Sequence, residues 1–533
     1  MFRSSLYPNR VFMLWVTSSL LLLGVFLLGL DQALLFDVDE GAFTEATREM
    51  IVSRDWWHTT LNGVDRFDKP IAIYWLQAFS ASFLELNEFA FRLPSAIAGW
   101  IASLALAYFA YEKWGGRAAF LAAVISATSL GPWAMARTAT ADALLGLFFV
   151  LIFLDLWRAL ANRNLFHVRR LAVWIALGLL VKGPVAIVVP LGTLCVYALF
   201  SSVDRSHMRT MIFDKWSWVL LIAISLPWYS YAYLRHGQNF IEGFLLKHNV
   251  ERFTGSLEGH SGQWFYFLIA LPLLWLPWSA MWIKSLFNFS SHWKEPFLKF
   301  SWIWFGFVFC FFTLANTKLP HYLLYAGPSM CFLILQSALS ANKTTWILTW
   351  LLAILGFVFL IGLPDYLLNH VSMIGNDYYK VLLENAPPTD TSNWMFVLPL
   401  VVLLFTTWGP VLKKFQSFKL TDATVLGFTI FALFQAGVLS LLVLPWWSQV
   451  LQAPVHALAM KFRNSSVTVV QWGVHLPSFA SYRLAEAPKR EPIPGELALV
   501  KNIRPHWPLE WEIVETNGPL AIVKVPLVSQ LKP

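Results

Sequence analysis

Charged residues are scarce in this chain. Only 13% of its 533 residues are Asp, Glu, Lys or Arg, whereas 57% are hydrophobic, and the chain contains 44 Phe and 28 Trp. A soluble globular domain has about 25% charged residues. The shortage of charge therefore excludes a soluble class and indicates a protein with many membrane spans.

Cysteine is also rare, and the motifs of soluble nucleotide and zinc chemistry are missing. Cys195, Cys310 and Cys331 lie within or at the edge of apolar runs, where cysteine usually serves as a small core residue. The sequence has no CxxC, HExxH or GxxxxGK(S/T) motif. We therefore expect no disulfide framework and no nucleotide cofactor.

Long apolar runs are what the sequence has instead. The first one, residues 11–30, follows Arg3 and Arg10 and is too long for the core of a secretory signal, so we expect a retained span. About thirteen runs approach the roughly twenty residues that a membrane span needs. They are residues 11–30, 93–111, 118–135, 141–160, 169–182, 184–201, 217–235, 264–283, 300–315, 321–340, 345–363, 395–411 and 423–445.

The net charge of +8 comes largely from short loops between these runs. Lys and Arg gather in residues 158–170, 201–216 and 412–422, and basic short loops stay on the cytoplasmic side of a membrane. If the N-terminus is cytoplasmic, successive loops alternate between the two sides of the membrane, so the order of the spans determines which loops face outward. The segments then predicted to face outward are 31–92, 136–142, 182–184, 236–263, 316–320, 364–394 and the tail after about 446. Membrane topology explains the basic charge, and we expect no nucleic-acid partner.

The tail has a different pattern from the rest of the chain. From Ser465 onwards, "SVTVVQWGV", "ELALVKNI" and "LAIVKVPL" alternate like strands between turns rich in Pro and Gly. We therefore predict an all-α polytopic membrane protein of about thirteen transmembrane helices with a small C-terminal periplasmic α/β domain. The predicted domains are 1–445, which includes the outer loop 31–92, and 446–533.

The outer loop opens with a dense cluster of charge, "DVDEGAFTEATREM", residues 37–50. Its apolar residues form one helical stripe, which predicts an amphipathic helix that lies along the membrane surface. The spacing of Asp37 and Glu40 is that of a capping box. One cap does not need three carboxylates in four residues, so we interpret Asp37 as the cap and keep Asp39 and Glu40 as candidates for chemistry.

Several segments carry a family resemblance in the same order along the chain. They are "DVDEGAFTEATREMIVSRDWWHTTLNGVDRFDKPIAIYWLQA", "FAFRLPSAIAG" and "ARTATADALL". Together they resemble the membrane-embedded glycosyltransferases of the GT-C type that use polyprenyl-phosphate sugars. Within this class the similarity is greatest to the lipid A aminoarabinose transferases, and protein O-mannosyltransferases are more distant. The resemblance covers about the first 330 residues.

The resemblance implies a cavity at the outer leaflet where a lipid-linked sugar is transferred. Asp39 matches the family's catalytic acid and would act as a general base or orient the acceptor, with Glu40 beside it and Asp142 as the second carboxylate. A plain alternative for Asp142 is a helix N-terminal acid. A phosphate leaving group needs cations and hydrogen-bond donors. The candidates for this role are Lys69, Lys182, Lys318, Arg48, Arg137 and Tyr322.

The resemblance also raises the question of a metal. The corresponding family site pairs the acid of a Glu-Lys turn with a loop histidine, and the matching residues here are Asp68 and His248. Asp and His are acceptable zinc ligands, but two ligands do not close a site. A divalent metal, zinc, is therefore left open as a cofactor.

The expected function is that of an inner-membrane enzyme with a periplasmic active site. It would move a sugar from undecaprenyl phosphate to an envelope acceptor such as lipid A by an inverting single displacement, within membrane lipid. The alternatives are a transporter or flippase of lipid-linked substrates and a protein O-glycosyltransferase. Transporters place charges near the middle of the membrane, whereas here the charges gather at one face, which favours the enzyme.

Overall fold

The computed structural model describes residues 8–201, 205–251, 262–389, 420–503, 507–508 and 510–527 of the chain. The side chains of residues 8–14, 205, 248–250 and 420–423 lie outside that description. Within it, the chain is mostly helical up to residue 461, and a small sheet follows near the C-terminus.

The first half of the chain contains the first outer loop and several long apolar helices. The helices there are α1 (Pro8–Leu27), α2 (Asp39–Ser53), α3 (Ala72–Leu84), α4 (Glu88–Trp114), α5 (Gly116–Thr128), α6 (Leu130–Met135), α7 (Asp142–Asn162), α8 (Leu165–Lys182), α9 (Val185–Phe200), α10 (Arg205–Ile212), α11 (Lys215–His236) and α12 (Gln238–Phe240). A π-helical segment, Ile241–Val250, continues α12.

The later helices are α13 (Tyr266–Leu274), α14 (Ser279–Phe287), α15 (Phe289–His292), α16 (Pro296–Leu314), α17 (Gly327–Leu339), α18 (Lys343–Asn369), α19 (Asp377–Glu384), α20 (Leu420–Val438), α21 (Leu444–Lys461) and α22 (Pro477–Arg483). Two 3₁₀ turns, Pro320–Ala326 and Val371–Met373, and a π-helical turn, Leu439–Val443, lie between them.

Seven helical segments in the described part of the chain are long and apolar enough to cross a membrane. They are Glu88–Trp114, Asp142–Asn162, Ser206–His236, Pro296–Leu314, Pro320–Leu339, Lys343–Asn369 and Thr424–Lys461. The chain is therefore a helical, multi-pass protein. The predicted run 395–411 lies outside the described residues, and the count of about thirteen spans stays a prediction.

Aromatic side chains fill the space between the long helices. Phe153 of α7 packs against Phe300 and Trp304 of α16, with ring centroids 5.0 and 5.2 Å apart. In lipid the hydrophobic effect does not drive helices together, so close van der Waals contact must do so. The many Phe and Trp residues therefore serve helix–helix packing.

The first outer loop folds into α2, a short hairpin and α3. Strands β1 (Thr60–Leu61) and β2 (Val64–Asp65) are antiparallel, and Thr60 lies opposite Asp65. Asn62 and Gly63 form the turn with φ of +54° and +76°. An Asn-Gly pair tolerates two positive φ angles in succession, which is what a two-residue hairpin turn requires.

Helix α2 differs from the prediction of a helix with an exposed polar face. All of its residues from Glu40 to Met50 are buried. Helix α22 of the C-terminal segment packs on the polar side, where the hydroxyls of Thr44 and Ser481 lie 2.9 Å apart. The physical reason is that tertiary partners satisfy the charged side chains of α2, which removes their need for water.

The C-terminal segment forms a four-stranded sheet with the order β3-β4-β6-β5. Its strands are β3 (Val469–Gln471), β4 (Leu497–Lys501), β5 (Glu512–Asn517) and β6 (Leu520–Lys524). Strand β3 is parallel to β4, and the other pairs are antiparallel. Tyr482 of α22 accepts a 2.7 Å hydrogen bond from the N–H of Leu35. This contact places the tail and the first loop on the same side of the membrane.

This shared side can be tested by labelling single cysteines in a background without Cys195, Cys310 and Cys331. Ser53→Cys and Glu512→Cys, both at exposed positions, are expected to react in intact cells with a membrane-impermeant maleimide. Asn162→Cys, at the exposed end of α7 beside a short basic loop, is expected to react only after the cells are opened. Reaction of Asn162→Cys in intact cells, with protection of the other two, would contradict the predicted orientation.

Candidate active site

Helices α7 and α8 form a hairpin that holds an ion pair at one end. Asp142 is the first residue of α7 and Lys182 lies in the last turn of α8. Their Oδ1 and Nζ atoms are 2.5 Å apart. Helix α8 ends at Gly183, which has a φ of +77° and where a Cβ would lie 2.6 Å from the ring of Phe244. Only glycine suits this position, so the end of the hairpin places Lys182 at a defined point.

Polar and aromatic groups surround this ion pair. The hydroxyl of Tyr325 donates to Oδ1 of Asp142 at 3.2 Å, and Nε2 of His321 lies 3.8 Å from the same oxygen. Nζ of Lys182 lies 5.6 Å from the ring centre of Tyr322 and 5.5 Å from that of Tyr325. Cation–π contacts of this length stabilise a positive charge. The cluster therefore surrounds the ammonium group of Lys182 with a carboxylate and two aromatic rings.

A polar cavity with a volume of about 290 Å³ lies beside the ion pair. Its lining includes Asp39, Arg137, Asp142 and His321. Asp39 is exposed, and its carboxylate makes no hydrogen bond or ion pair with any residue that the structure describes. Among the described residues, Asp142 is paired with Lys182 and Asp39 is not paired, so the Asp39 carboxylate is available to a ligand in the cavity.

A second, mainly apolar cavity adjoins the first one. The two share Met135, Asp142 and His321, and the second extends between helices along side chains such as Leu106 and Trp275. Ligand sites commonly combine an apolar wall with a few polar groups. The ion pair therefore lies at the boundary between a polar and an apolar chamber.

The segment after the β1–β2 hairpin of the first loop contains two more cations, Arg66 and Lys69, whose charges act on residues of this site. The charge of Lys69 acts on both Asp142 and His321, and the charge of Asp39 acts on Arg66. Burial alone would lower the pKa of Arg66, but Tyr74, Asp68 and Asp39 together raise it above its ordinary value. Arg66 is a residue that the sequence analysis missed, since it lies among acids in "VDRFD".

The sequence of this chain is similar to those of known membrane glycosyltransferases. Residues 68–231 match the family described as dolichyl-phosphate-mannose-protein mannosyltransferase. The undecaprenyl phosphate-alpha-4-amino-4-deoxy-L-arabinose arabinosyl transferase 2 of Proteus mirabilis is 28% identical over 57% of this chain and 55% of its own length. The corresponding transferase of Erwinia tasmaniensis is 26% identical over 67% of each chain. The predicted resemblance to polyprenyl-phosphate-sugar-dependent membrane glycosyltransferases is confirmed.

The fold is also shared with a solved member of this class. ArnT from Cupriavidus metallidurans, in a crystal structure bound to undecaprenyl phosphate, superposes with a TM-score of 0.77 and 18% identity. The superposition covers 97% of this chain and 98% of ArnT. At this identity the likeness concerns the fold alone, and this chain spans about half of the Proteus mirabilis relative. The activity and substrates are therefore inferred from the site.

The structure corrects the role predicted for Asp37. Helix α2 has no side-chain cap, and Asp37 instead accepts hydrogen bonds from the hydroxyl and the N–H of Ser478 in α22, the latter at 2.9 Å. Burial raises the pKa of Asp37 to about 7, although the bonds from Ser478 oppose this change. Asp37 therefore joins the first loop to the C-terminal segment.

Glu40 is also placed differently from the prediction. It is 2% exposed, and both of its oxygens accept from Arg92 at 2.8 Å. The N–H groups of Ala139 and Phe36 also donate to it, at 2.7 and 2.9 Å. These partners occupy the carboxylate, so Glu40 positions its neighbours and is not carried into the proposed chemistry.

Three predicted phosphate ligands have structural partners instead. Arg48 is buried and pairs with Glu45 at 2.6 Å. Lys318 donates to the carbonyls of Thr313 and Ala315 at the end of α16, both at 2.8 Å. Arg137 lines the cavity but donates to carbonyls at the end of α1, among them that of Phe26 at 3.2 Å. Cations at helix C-termini satisfy unpaired carbonyls there.

The predicted metal pair receives no support from the described residues. Asp68 lies 3.0 Å from the guanidinium of Arg66, which competes with a metal ion for its carboxylate. The side chain of His248 lies outside the described part of the chain. Within that part, Asp68 belongs to no group of three potential ligands, and the pair stays a prediction.

Proposed function

We propose that this chain is an inner-membrane glycosyltransferase that moves a sugar from undecaprenyl phosphate to an envelope acceptor such as lipid A. One observation carries the proposal: the carboxylate of Asp39, which pairs with no residue that the structure describes, lines the same cavity as Asp142, which holds the ammonium of Lys182 at 2.5 Å. A candidate base thus lines the same cavity as the carboxylate that pairs with a candidate phosphate-binding cation. The activity of the arabinosyl transferases that this chain resembles, together with the shared fold, supports this substrate class.

The donor phosphate would be held by Lys182 and Lys69. Asp142 holds Lys182 in place, and a second anion can share the ammonium, which has three donors. Charge-assisted hydrogen bonds to a phosphate are stronger than neutral ones. Two cations at one point would stabilise the negative charge that develops on the leaving phosphate.

The transfer step would be a single displacement. The acceptor oxygen attacks the anomeric carbon, the bond from that carbon to the phosphate oxygen breaks, and undecaprenyl phosphate leaves with the electron pair. The proton of an acceptor hydroxyl passes to Asp39, which acts as a general base. An acceptor phosphate is already ionised, and Asp39 would then orient it. Either way the anomeric configuration inverts.

The apolar cavity would contact the prenyl chain near the phosphate. It meets the polar cavity at Asp142 and His321. A lipid-linked sugar has a similar boundary, between its sugar phosphate and its hydrocarbon chain, and we place that boundary here. A transporter of the same lipid would need charged groups along a path through the membrane. The charged groups of this site lie together at helix ends, which favours chemistry over transport.

The proposal can be tested with the full chain purified in lipid nanodiscs. Undecaprenyl-phosphate-linked aminoarabinose is supplied with lipid A in one reaction and with a threonine-containing peptide in another. Mass spectrometry is expected to show lipid A with an added sugar and free undecaprenyl phosphate. A glycosylated peptide would move the acceptor to protein. Donor that stays intact with every acceptor and sugar offered would contradict transferase activity.

Lys182 and Lys69 provide a sharper prediction about the donor. A charge-assisted hydrogen bond contributes about 1.5–3 kcal/mol, so Lys182→Ala and Lys69→Ala are each expected to weaken use of the donor roughly ten- to a hundred-fold. Lys182→Arg should recover part of the loss, because its charge remains although its shape is wider. The measurement is KM for the donor together with its binding affinity.

Lys461→Ala is the matched control for these variants. Lys461 also pairs with a carboxylate, that of Glu515 at 2.6 Å, but its side chain is 56% exposed, whereas that of Lys182 is 11% exposed. An exposed ion pair contributes little, so this variant should bind the donor like the unmodified chain. Normal donor binding by Lys182→Ala and Lys69→Ala would show that the phosphate is held elsewhere.

A further inference from the structure

Three potential metal ligands meet where the first-loop hairpin packs against the end of α11. His58 precedes the hairpin, Asp65 ends β2, and His236 is the last residue of α11. One ligand atom from each lies within 4.8 Å of the others. We propose that His58, Asp65 and His236 bind one zinc ion.

The donor set and its spacing suit zinc. Zn–N and Zn–O bonds of about 2.0–2.2 Å in a tetrahedral site place ligand atoms roughly 3.3 Å apart. Nε2 of His58 lies 3.0 Å from Oδ1 of Asp65, and Nδ1 of His236 lies 3.2 Å from Oδ2 of the same residue. The two imidazole rings are 4.4 Å apart at an angle of 31°. Small side-chain rotations would therefore direct one atom of each residue at a common centre.

Burial also fits a site with three protein ligands. The side chains of His58 and His236 are each 10% exposed, whereas that of Asp65 is 49% exposed. The exposed side leaves room for water as a fourth ligand, and neutral imidazole with carboxylate is a donor set that zinc accepts. The three side chains also contact one another directly, since Nε2 of His236 lies 3.1 Å from Nδ1 of His58, and a bound ion would take the place of these hydrogen bonds.

The backbone fixes the positions of these ligands before any ion binds. The Asn62-Gly63 turn sets the register of the hairpin, and the pairing continues outward, where the N–H of Arg66 donates to the carbonyl of Thr59 at 2.9 Å. The helix that carries His236 ends at Gly237, which has a φ of +55°. The ligands therefore come from a hairpin and a helix end, both with defined geometry.

A metal here would also position Arg66 and Lys69. The chain runs from Asp65 directly to Arg66, Asp68 and Lys69, and the charge of Lys69 acts on Asp142. An ion that holds Asp65 against His236 would fix the start of this segment relative to α11. This positioning effect rests on the proposed function, whereas the metal site itself does not.

The test measures metal in the purified full chain after loading with zinc and removal of the excess. About one zinc per chain is expected in the unmodified protein. His58→Ala, His236→Ala and Asp65→Asn should each retain roughly tenfold less, as the loss of a metal ligand requires. Asp68→Asn and His370→Ala are the matched controls. The first removes the acid predicted from the sequence, and the second removes a histidine bonded to the carbonyl of Tyr366 outside this cluster.

Two further readouts are independent of activity and of the variants' stability. In the unmodified chain, a chelator should lower the unfolding temperature and zinc should restore it. Cobalt, loaded in place of zinc, should give the visible absorption of a four-coordinate site, and this band should be absent from His236→Ala.

Several results would overturn the proposal. They are an unmodified chain that retains no metal after loading, ligand variants that retain as much as the control variants, and loss of metal in Asp68→Asn alone. A chain that binds zinc through these three residues but transfers no sugar would leave the metal site standing and contradict the proposed function. The two conclusions can therefore fail separately.

Discussion

Asp39→Asn is expected to fold like the unmodified chain but to transfer sugar about 10²–10⁴-fold more slowly, which is the usual loss when a general base is removed. The variant keeps the size and one oxygen acceptor of Asp39 while it removes the charge. Asp39 is exposed to the cavity and makes no ion pair with a described residue, so its loss leaves no buried group unsatisfied. The activity should fall without a change in the unfolding temperature.

Asp37→Asn is the matched control two residues away. Its carboxyl accepts from Ser478 and has a pKa of about 7, so a neutral amide reproduces much of its state near neutral pH. It should keep most of the transfer activity. Both variants are compared in a transfer assay, with thermal unfolding as the check of folding. Equal activity in the two variants would contradict the role of Asp39.

The nature of the acceptor affects the size of this loss. An acceptor hydroxyl must give up a proton, whereas an acceptor phosphate is ionised at neutral pH. Asp39→Asn should therefore lose more with a hydroxyl acceptor than with a phosphate acceptor. The loss of transfer rate in Asp39→Asn, measured with each acceptor, therefore shows whether Asp39 accepts a proton or only orients the acceptor.

The helical architecture was largely predictable, because membrane spans follow from hydrophobic length alone. The α7–α8 hairpin was predicted as the runs 141–160 and 169–182, and the structure ends these helices at Asp142 and Lys182. A charge next to an apolar run is placed at a helix end by the cost of burying it in lipid. This rule predicts that Asp142 and Lys182 both lie at the same end of the α7–α8 hairpin.

The partners of the charged residues were harder to predict. Asp37 bonds to Ser478, which is 441 residues away along the chain. No local sequence pattern predicts a contact between residues so far apart, and the capping-box spacing predicted instead that Asp37 would cap α2. The case of Arg48 is different, since Glu45 lies three residues before it, and a pair at that spacing on a helix is expected to interact. That signal was present in the sequence.

Arg66 and the zinc ligands show a second limit. Arg66 lies between Asp65 and Asp68 in the first loop, so its sequence neighbours suggest a surface ion pair, whereas the folded loop brings it near Asp39. His58 and His236 are far apart in sequence and match no spaced zinc motif. Only the packing of the hairpin on α11 brings them together.

Arg92→Met is expected to have the second large effect, and it acts on stability. Arg92 is 2% exposed, donates twice to Glu40 and donates further to the carbonyls of Leu30, Ala33 and Leu34. Removal of one partner from a buried ion pair typically costs about 3–5 kcal/mol, because the other charge stays buried without compensation. The variant should therefore show a much lower unfolding temperature and yield.

The pair joins the end of α1, the start of α2 and the turn at Ala139, which precedes Asp142. It thus holds the wall of the cavity on which Asp39 and Asp142 are placed. Arg92→Lys keeps the charge but not the two-pronged geometry of the guanidinium. Its unfolding temperature should therefore lie between those of Arg92→Met and the unmodified chain.

Glu40→Gln separates this structural role from catalysis. The amide keeps the shape and some of the hydrogen bonds, while Arg92 keeps its carbonyl partners. Transfer activity per folded molecule should therefore stay close to that of the unmodified chain, even though fewer molecules fold. The measurement is the transfer rate divided by the fraction that unfolds cooperatively. A loss per folded molecule as large as that of Asp39→Asn would return Glu40 to the catalytic residues, because a structural carboxylate changes the folded fraction and a catalytic one changes the rate.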